Sequence, residues 1–166
     1  MSELTSQSHL NPPSSHPTIM KLSSVFTWWP FITLATTASA QRAYIRSPAS
    51  GVTVHKGQSV VLQLVRPNSI QGSREVGLAL SFQTCANGAC SDPVNRLGTV
   101  LYTGPYDPQL HEIPGNPYEN FTLTIPDSEF FQPGKAQLIS TRLHLIGAGP
   151  SATLETNTVD VNLVNN

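Results

Sequence analysis

Apolar residues alternate with polar ones along much of this chain after residue 42, and this pattern constrains the fold more than any other feature. In residues 75–83 apolar side chains occupy every second position, and the same spacing recurs at Phe121, Leu123 and Ile125. A period of two places one face of a strand in a core and the other in water. No stretch carries the apolar stripe of a capped helix, so the chain is expected to fold from strands.

Seven segments have this strand character, and clusters of Asn, Gly and Pro separate them. Turn signals include Asn87-Gly88, Gly104-Pro105 and Pro133-Gly134. The candidate strands are residues 44–46, 59–65, 75–83, 97–102, 118–125, 136–146 and 156–164. About seven short strands with turns between them predict one all-β domain, an antiparallel immunoglobulin-like sandwich of two sheets.

One candidate strand contains charged residues, so the sequence must indicate which of its two faces is buried. In residues 136–146, one side of the strand carries Ile139, Thr141, Leu143 and Leu145, while Arg142 and His144 lie on the other. The apolar side is interpreted as the buried one. Arg142 and His144 are therefore predicted to mark a solvated face.

The first forty residues are not expected to belong to this domain. Lys21, an uncharged stretch and Ala38-Ser39-Ala40 follow one another in the order of a secretory signal, with a small-residue cleavage site. We therefore expect residues 1–19 to be an upstream extension from a mis-set start, 20–40 to be the signal peptide, and 41–166 to be the secreted domain. The carboxyl terminus carries no lipid-anchor signal, so no membrane anchor is expected.

Composition narrows the classes of function. The 166 residues include 9 Lys+Arg and 10 Asp+Glu, a net charge of −1, which disfavours a nucleic-acid binder that must neutralise phosphates. His55, His111 and His144 are isolated in sequence, so no metal site is expected, and no cofactor motif is present. No nucleophile elbow occurs, and we expect no catalytic residue. A hydrolase with an unrecognised carboxylate pair stays open as a minor alternative.

Two short motifs indicate covalent modification. Cys85 and Cys90 flank an Asn-Gly turn, and in a secreted chain such a pair predicts a hairpin disulfide worth about 2 kcal/mol. Asn120-Phe121-Thr122 is a glycosylation sequon in an alternating strand, where Asn120 would point outward if Phe121 points inward. The sequence therefore predicts a glycoprotein.

Three tyrosines lie near Gly-Pro turns and are candidates for contact with a partner. Tyr102, Tyr106 and Tyr118 have amphipathic rings of the kind that bind proteins or sugars. A cell-wall glycan-binding module is therefore an alternative function. Ordinary packing of the rings against the turns explains the same residues equally well.

Several motifs together resemble the necrosis-inducing secreted protein family (Nis type) of plant-associated fungi. The likeness extends from Ile45 to Val164. The motifs are Leu97-Gly98-Thr99-Val100-Leu101-Tyr102, Gly104-Pro105-Tyr106, Asn120-Phe121-Thr122-Leu123, Ile125-Pro126, Pro133-Gly134, Leu145-Ile146-Gly147-Ala148 and Leu154-Glu155.

The resemblance implies a secreted effector without catalysis, and we separately expect the protein to be a monomer. Such a protein would act in host tissue, bind plant receptor-like kinases or their cytoplasmic partner kinases, suppress immune signalling and in some cases cause cell death. The family's carboxy-terminal Pro-Ser-Leu-Glu-Tyr pattern maps onto residues 150–155, with two residues inserted and Thr156 at the aromatic position. By this resemblance Leu154 and Glu155 are partner-binding residues.

Overall fold

The computed structural model describes residues 42–85 and 87–166, and within this part the chain forms eight strands and no helix. The predicted upstream extension and signal peptide lie outside the described residues. The strands are β1 (Tyr44–Ser47), β2 (Val52–His55), β3 (Ser59–Val65), β4 (Ser73–Thr84), β5 (Thr99–Gly104), β6 (Tyr118–Thr124), β7 (Gly134–Ile146) and β8 (Ser151–Val164). The prediction of an all-β fold is confirmed. The sequence reading missed β2 and began the last strand at Thr156 instead of Ser151.

The strands form two sheets with the order of an immunoglobulin-like sandwich. The smaller sheet has the order β1-β3-β6 and the larger β2-β8-β7-β4-β5. This corresponds to immunoglobulin strands A, B and E in one sheet and G, F and C in the other. All pairs are antiparallel except β2 with β8, which is parallel. The predicted antiparallel sandwich is thus corrected at this one pair, because the chain changes sheet between β1 and β2.

The core is formed by the facing sides of the two sheets. The small sheet contributes alternating residues such as Leu62, Leu64 and Phe121, and the large sheet contributes Leu80 and Phe82, all between 0 and 6 % exposed. Phe121 also contacts two tyrosine rings from the segment around β5. The alternation of apolar residues in the sequence therefore corresponds to the packing of the two sheets against each other.

The predicted faces of β7 were wrong. Arg142 is 1 % exposed and His144 is 2 % exposed, whereas Leu143 is 37 % exposed. Leu138 is buried on the same side of β7 as Arg142, and antiparallel pairing sets Leu138 beside Phe82 of β4. Both sides of β7 carry apolar residues, so the sequence pattern by itself could not decide between them; the register with β4 decides it.

Polar side chains link strands across the outer side of the large sheet. The Gln83 side chain donates to the carbonyl oxygen of Ser91 and to Gln137 Oε1, at 2.9 and 3.2 Å. Gln137 in turn donates to Asp160 Oδ1 at 2.8 Å, and Lys135 contacts the other Asp160 oxygen at 2.9 Å. These hydrogen bonds, Gln137 first, lower the pKa of Asp160. The segment after β4 is thereby held close to the outer side of the sheet.

Candidate functional site

A cluster of charged side chains lies on the core-facing side of the large sheet, at the end where Leu154 and Glu155 are found. Arg142 donates from Nε to Glu155 Oε2 over 2.6 Å and from Nη1 to Glu75 Oε1 over 2.8 Å. Arg66, which follows β3, contacts the same Glu75 oxygen at 3.4 Å. Two guanidinium groups therefore balance two carboxylates, as a buried cluster requires, because an unpaired buried ion costs several kcal/mol.

A β-bulge turns Glu75 into this cluster. Along β4, Glu75 pairs with His144 and Gly77 pairs with Leu143, so Val76 is an extra residue with no partner on β7. The extra residue shifts the alternation by one. Without it, Glu75 would share the outer side with Gly77; with it, the carboxylate faces Arg142, and Val76 is 54 % exposed.

His144 borders the ion cluster as a neutral ring. Its Nε2 lies 3.4 Å from Arg142 Nη2 and 3.8 Å from Glu155 Oε2; because a guanidinium only donates, we assign Nε2 as the acceptor in the shorter contact. Burial, followed by the nearby charge of Arg142, lowers the pKa of His144. Nδ1 is buried and has no hydrogen-bond partner in the described part of the chain.

A groove runs beside this end of β8. It encloses a cavity of about 370 Å³. Its lining consists of Arg42, Val94, His144, Ile146, Thr153, Leu154, Glu155 and Thr156. Two of the lining residues carry a charge, and they differ in their ion pairing. Glu155 is paired with Arg142, whereas Arg42 is exposed and has no ion pair within the described residues.

Leu154 projects away from the core, opposite to Glu155. Its side chain is 66 % exposed, and it pairs across the strands with Leu143, which is also exposed. Val76 of the bulge is exposed beside the same row, because its neighbour Gly77 pairs with Leu143. Adjacent exposed apolar side chains of this kind mark candidate contact surfaces.

Comparison with known proteins agrees with these motifs. The sequence model of the Nis1 family matches residues 38–162, which is most of the chain. This chain belongs to the Nis1 family. The match covers β1 to β7 entirely and most of β8, so the charged cluster, the groove and Leu154 all lie in the Nis1-family region. No curated protein matches the sequence.

The three tyrosines of this Nis1-family protein do not share one exposed strip. Tyr106 is 3 % exposed and donates to the carbonyl oxygen of Leu64, and burial raises the pKa of its phenol. Tyr118 is 9 % exposed and its hydroxyl bonds to Glu112. Tyr102 donates to the carbonyl oxygen of Pro105. Each hydroxyl thus has an internal hydrogen bond, and a partner contact through these rings stays a prediction.

The two predicted modification sites have the required local structure. Cys85 and Cys90 form a disulfide, and Asn87 between them has a φ of 51°, the left-handed conformation expected of an Asn-Gly turn. Asn120 lies on β6 with its side chain exposed, and its Oδ1 accepts a hydrogen bond from Gln63 at 3.1 Å. Glycosylation of Asn120 itself stays a prediction.

The described residues contain no group of three or more His, Cys, Asp or Glu side chains arranged to hold a metal ion. No helix in this part is long and apolar enough to cross a membrane.

Sequence reasoning did not find the cluster of Arg142, Glu75 and His144. One signal was available: charged residues stand inside strands of a chain in which only 11 % of residues are charged. Their meeting could not be derived, because it depends on the bulge at Val76.

Proposed function

We propose that this Nis1-family protein is a secreted fungal effector that binds plant receptor-like kinases, or the cytoplasmic kinases that act with them. Binding would suppress pattern-triggered immunity and could lead to host cell death, without a catalytic step of its own. The observation that carries the proposal is the Nis1-family match over residues 38–162.

Secretion is supported by covalent chemistry. The Cys85–Cys90 disulfide is of the kind that persists in oxidising compartments and is rare in the cytosol of mesophiles. The predicted signal at residues 20–40 and the sequon at Asn120 point the same way. We expect the secreted chain to begin at Gln41, which mass spectrometry of the culture medium would test.

Leu154 and Glu155 have different parts in the proposed activity. Leu154 is exposed together with Leu143 and so is available to a partner, whereas Glu155 is 8 % exposed and paired with Arg142. We assign direct contact to Leu154, and to Glu155 the role of holding the amino-terminal half of β8 in place.

The test uses the full-length gene expressed in a secreting eukaryotic host. The secreted protein is incubated with purified kinase domains of plant co-receptor receptor-like kinases, and it is also expressed in leaves to follow the immune oxidative burst. The proposal requires capture of a kinase domain and a reduced burst. Absence of both would refute it.

A pair of matched variants locates the contact. Leu154→Glu places a charge on the exposed side of β8 and is expected to abolish capture. Val61→Glu makes the same apolar-to-acidic change at an exposed position of β3 in the other sheet, outside the sequon, and is expected to leave capture unchanged. Equal loss in both variants would point to a general effect of charge.

A further inference from the structure

Half of β8 has a free edge. β7 pairs with β8 without interruption from Ser151 to Leu163, but β2 pairs on the other side only with Val161–Val164. Among the described residues no strand covers residues 151–158 on the β2 side. The large sheet therefore has an open edge that starts where β2 ends.

The backbone groups that face this edge can be identified from the bonds to the chain around β2. The carbonyl oxygen of Asp160 accepts from Gly51 N at 2.8 Å, and that of Val164 accepts from Lys56 N at 3.2 Å. Backbone polar groups of a strand alternate sides with a period of two, and β8 has no register shift against β7. Even-numbered residues consequently direct their N–H and C=O toward the open edge. These are Ala152, Leu154, Thr156 and Thr158.

The usual protection of an edge strand is missing here. Proteins blunt edges with Pro, Lys, bulges or very short strands. β1 has four residues and is followed by Pro48, and β5 has a register shift against β4. Residues 151–158 contain no Pro, Lys or Arg, and their one charged residue, Glu155, faces inward and is neutralised by Arg142.

Exposed apolar side chains lie beside the edge. Leu154 and Val94 both line the groove, are 66 % and 75 % exposed, and offer apolar contact. Arg42 also lines the groove, as an exposed cation without an ion pair among the described residues. An extended peptide with alternating side chains could place apolar groups on Leu154 and Val94 and a carboxylate on Arg42.

We propose that residues 152–158 of β8 bind an extended segment of a partner protein by strand addition, with an acidic side chain of that segment on Arg42 and apolar ones on Leu154 and Val94. The proposal rests on the proposed function in that the partner is a protein. A second copy of this chain fits less well: its own edge would bring Glu155, which is committed to Arg142, and so no acid for Arg42.

Hydrogen exchange of backbone amides tests the geometry directly. With a kinase domain as the probe, the amides of Leu154, Thr156 and Thr158 should slow on binding, while those of Glu155 and Asn157, which face β7, stay protected throughout. Kinase binding with unchanged exchange at the even positions would overturn strand addition and leave the proposed function intact.

Two substitutions test the same point by affinity. Thr156→Pro removes the N–H that faces the edge but none that bonds to β7, and should weaken binding about tenfold. Thr156→Ala keeps the N–H and should bind as the natural protein does. If Thr156→Pro does not fold, Arg42→Glu decides, since reversing this exposed charge should weaken binding by about the same factor; unchanged affinity would contradict the proposal.

If no kinase domain binds, the proposed function fails, and a displayed library of random ten-residue peptides tests strand addition on its own. Enrichment of peptides with alternating apolar and acidic residues, with a footprint on residues 152–158, would support it. No enrichment would refute it. If exchange at these amides slows only as the concentration of the protein itself rises, the edge binds a second copy of this chain, and the proposed partner is wrong.

Discussion

Leu154 and Glu155 are neighbours in sequence, yet a strand directs them to opposite faces. Leu154 is exposed, while Glu155 accepts a charge-assisted hydrogen bond from buried Arg142. A motif that groups Leu154 with Glu155 therefore combines a residue available for partner contact with a residue that stabilises the fold. Stability measurements on variants of each residue distinguish these two roles.

Glu155→Ala should lower the free energy of unfolding by about 3 kcal/mol, because it removes one of the carboxylates that neutralise a buried guanidinium. Leu154→Ala, at an exposed position, should change it by less than about 0.5 kcal/mol. Urea denaturation of both variants checks the difference. Equal losses would mean that Arg142 is sufficiently neutralised by Glu75.

His144 should make stability dependent on pH. Its ring is faced by Arg142, Glu75, Glu155 and Arg66, and burial and Arg142 lower the folded-state pKa below the usual value of about 6.5. Below that pH the unfolded chain binds a proton that the folded chain resists. Stability is therefore complete above pH ~6.5 and falls as the pH decreases toward the folded-state pKa.

The measurement is urea unfolding between pH ~7 and ~5, a range above the ordinary titration of carboxyl groups. His144→Leu should remove most of the slope, whatever it does to stability at neutral pH. A variant with the same slope as the natural protein would assign the dependence to another group.

At the scale of strands, register decides which residues meet. The alternation in β6 is unambiguous, and there the sequence predicted the buried face correctly. In β4 the prediction was correct for Leu78, Leu80 and Phe82 but wrong for Val76, which the same alternation placed on the buried face and which is exposed. β7 is apolar on both sides, and β4 contains an extra residue at Val76. Neither the face of β7 nor the inward turn of Glu75 could be predicted, because both depend on pairing between strands distant in sequence.

The position immediately before β5 requires glycine. Gly98 has a φ of 74°, and a Cβ there would lie 2.7 Å from Gln83 Cβ and collide with the carbonyl oxygen of Phe82. Gly98→Ala should therefore destabilise the fold by more than about 2 kcal/mol. Gly147→Ala is the control, since its φ is 85° but nothing lies within 4 Å, and it should cost only about 1 kcal/mol. Similar losses in thermal unfolding would show that the backbone conformation dominates.

At the scale of the whole molecule, the two sheets present different surfaces. The small sheet carries the exposed sequon residue Asn120 on β6, while the open edge and the groove belong to the large sheet. A glycan on Asn120 would therefore occupy a different sheet from the proposed partner.

Enzymatic removal of N-linked glycans should lower the mass of the secreted protein, and Asn120→Gln should abolish that change. Binding to kinase domains should be the same before and after treatment. An unaltered mass would show that the sequon is unoccupied, and loss of binding on deglycosylation would contradict the separation of the two surfaces.

The sequence by itself determined the strand class, most of the strand positions, the disulfide and the family, because each depends on local periodicity or on short motifs. Tertiary structure alone decided that Arg142 and His144 are buried, that Glu75 meets Arg142, and that residues 151–158 form an open edge. These features arise from pairing between distant strands, where one inserted residue or one strand that ends early changes what every neighbour faces.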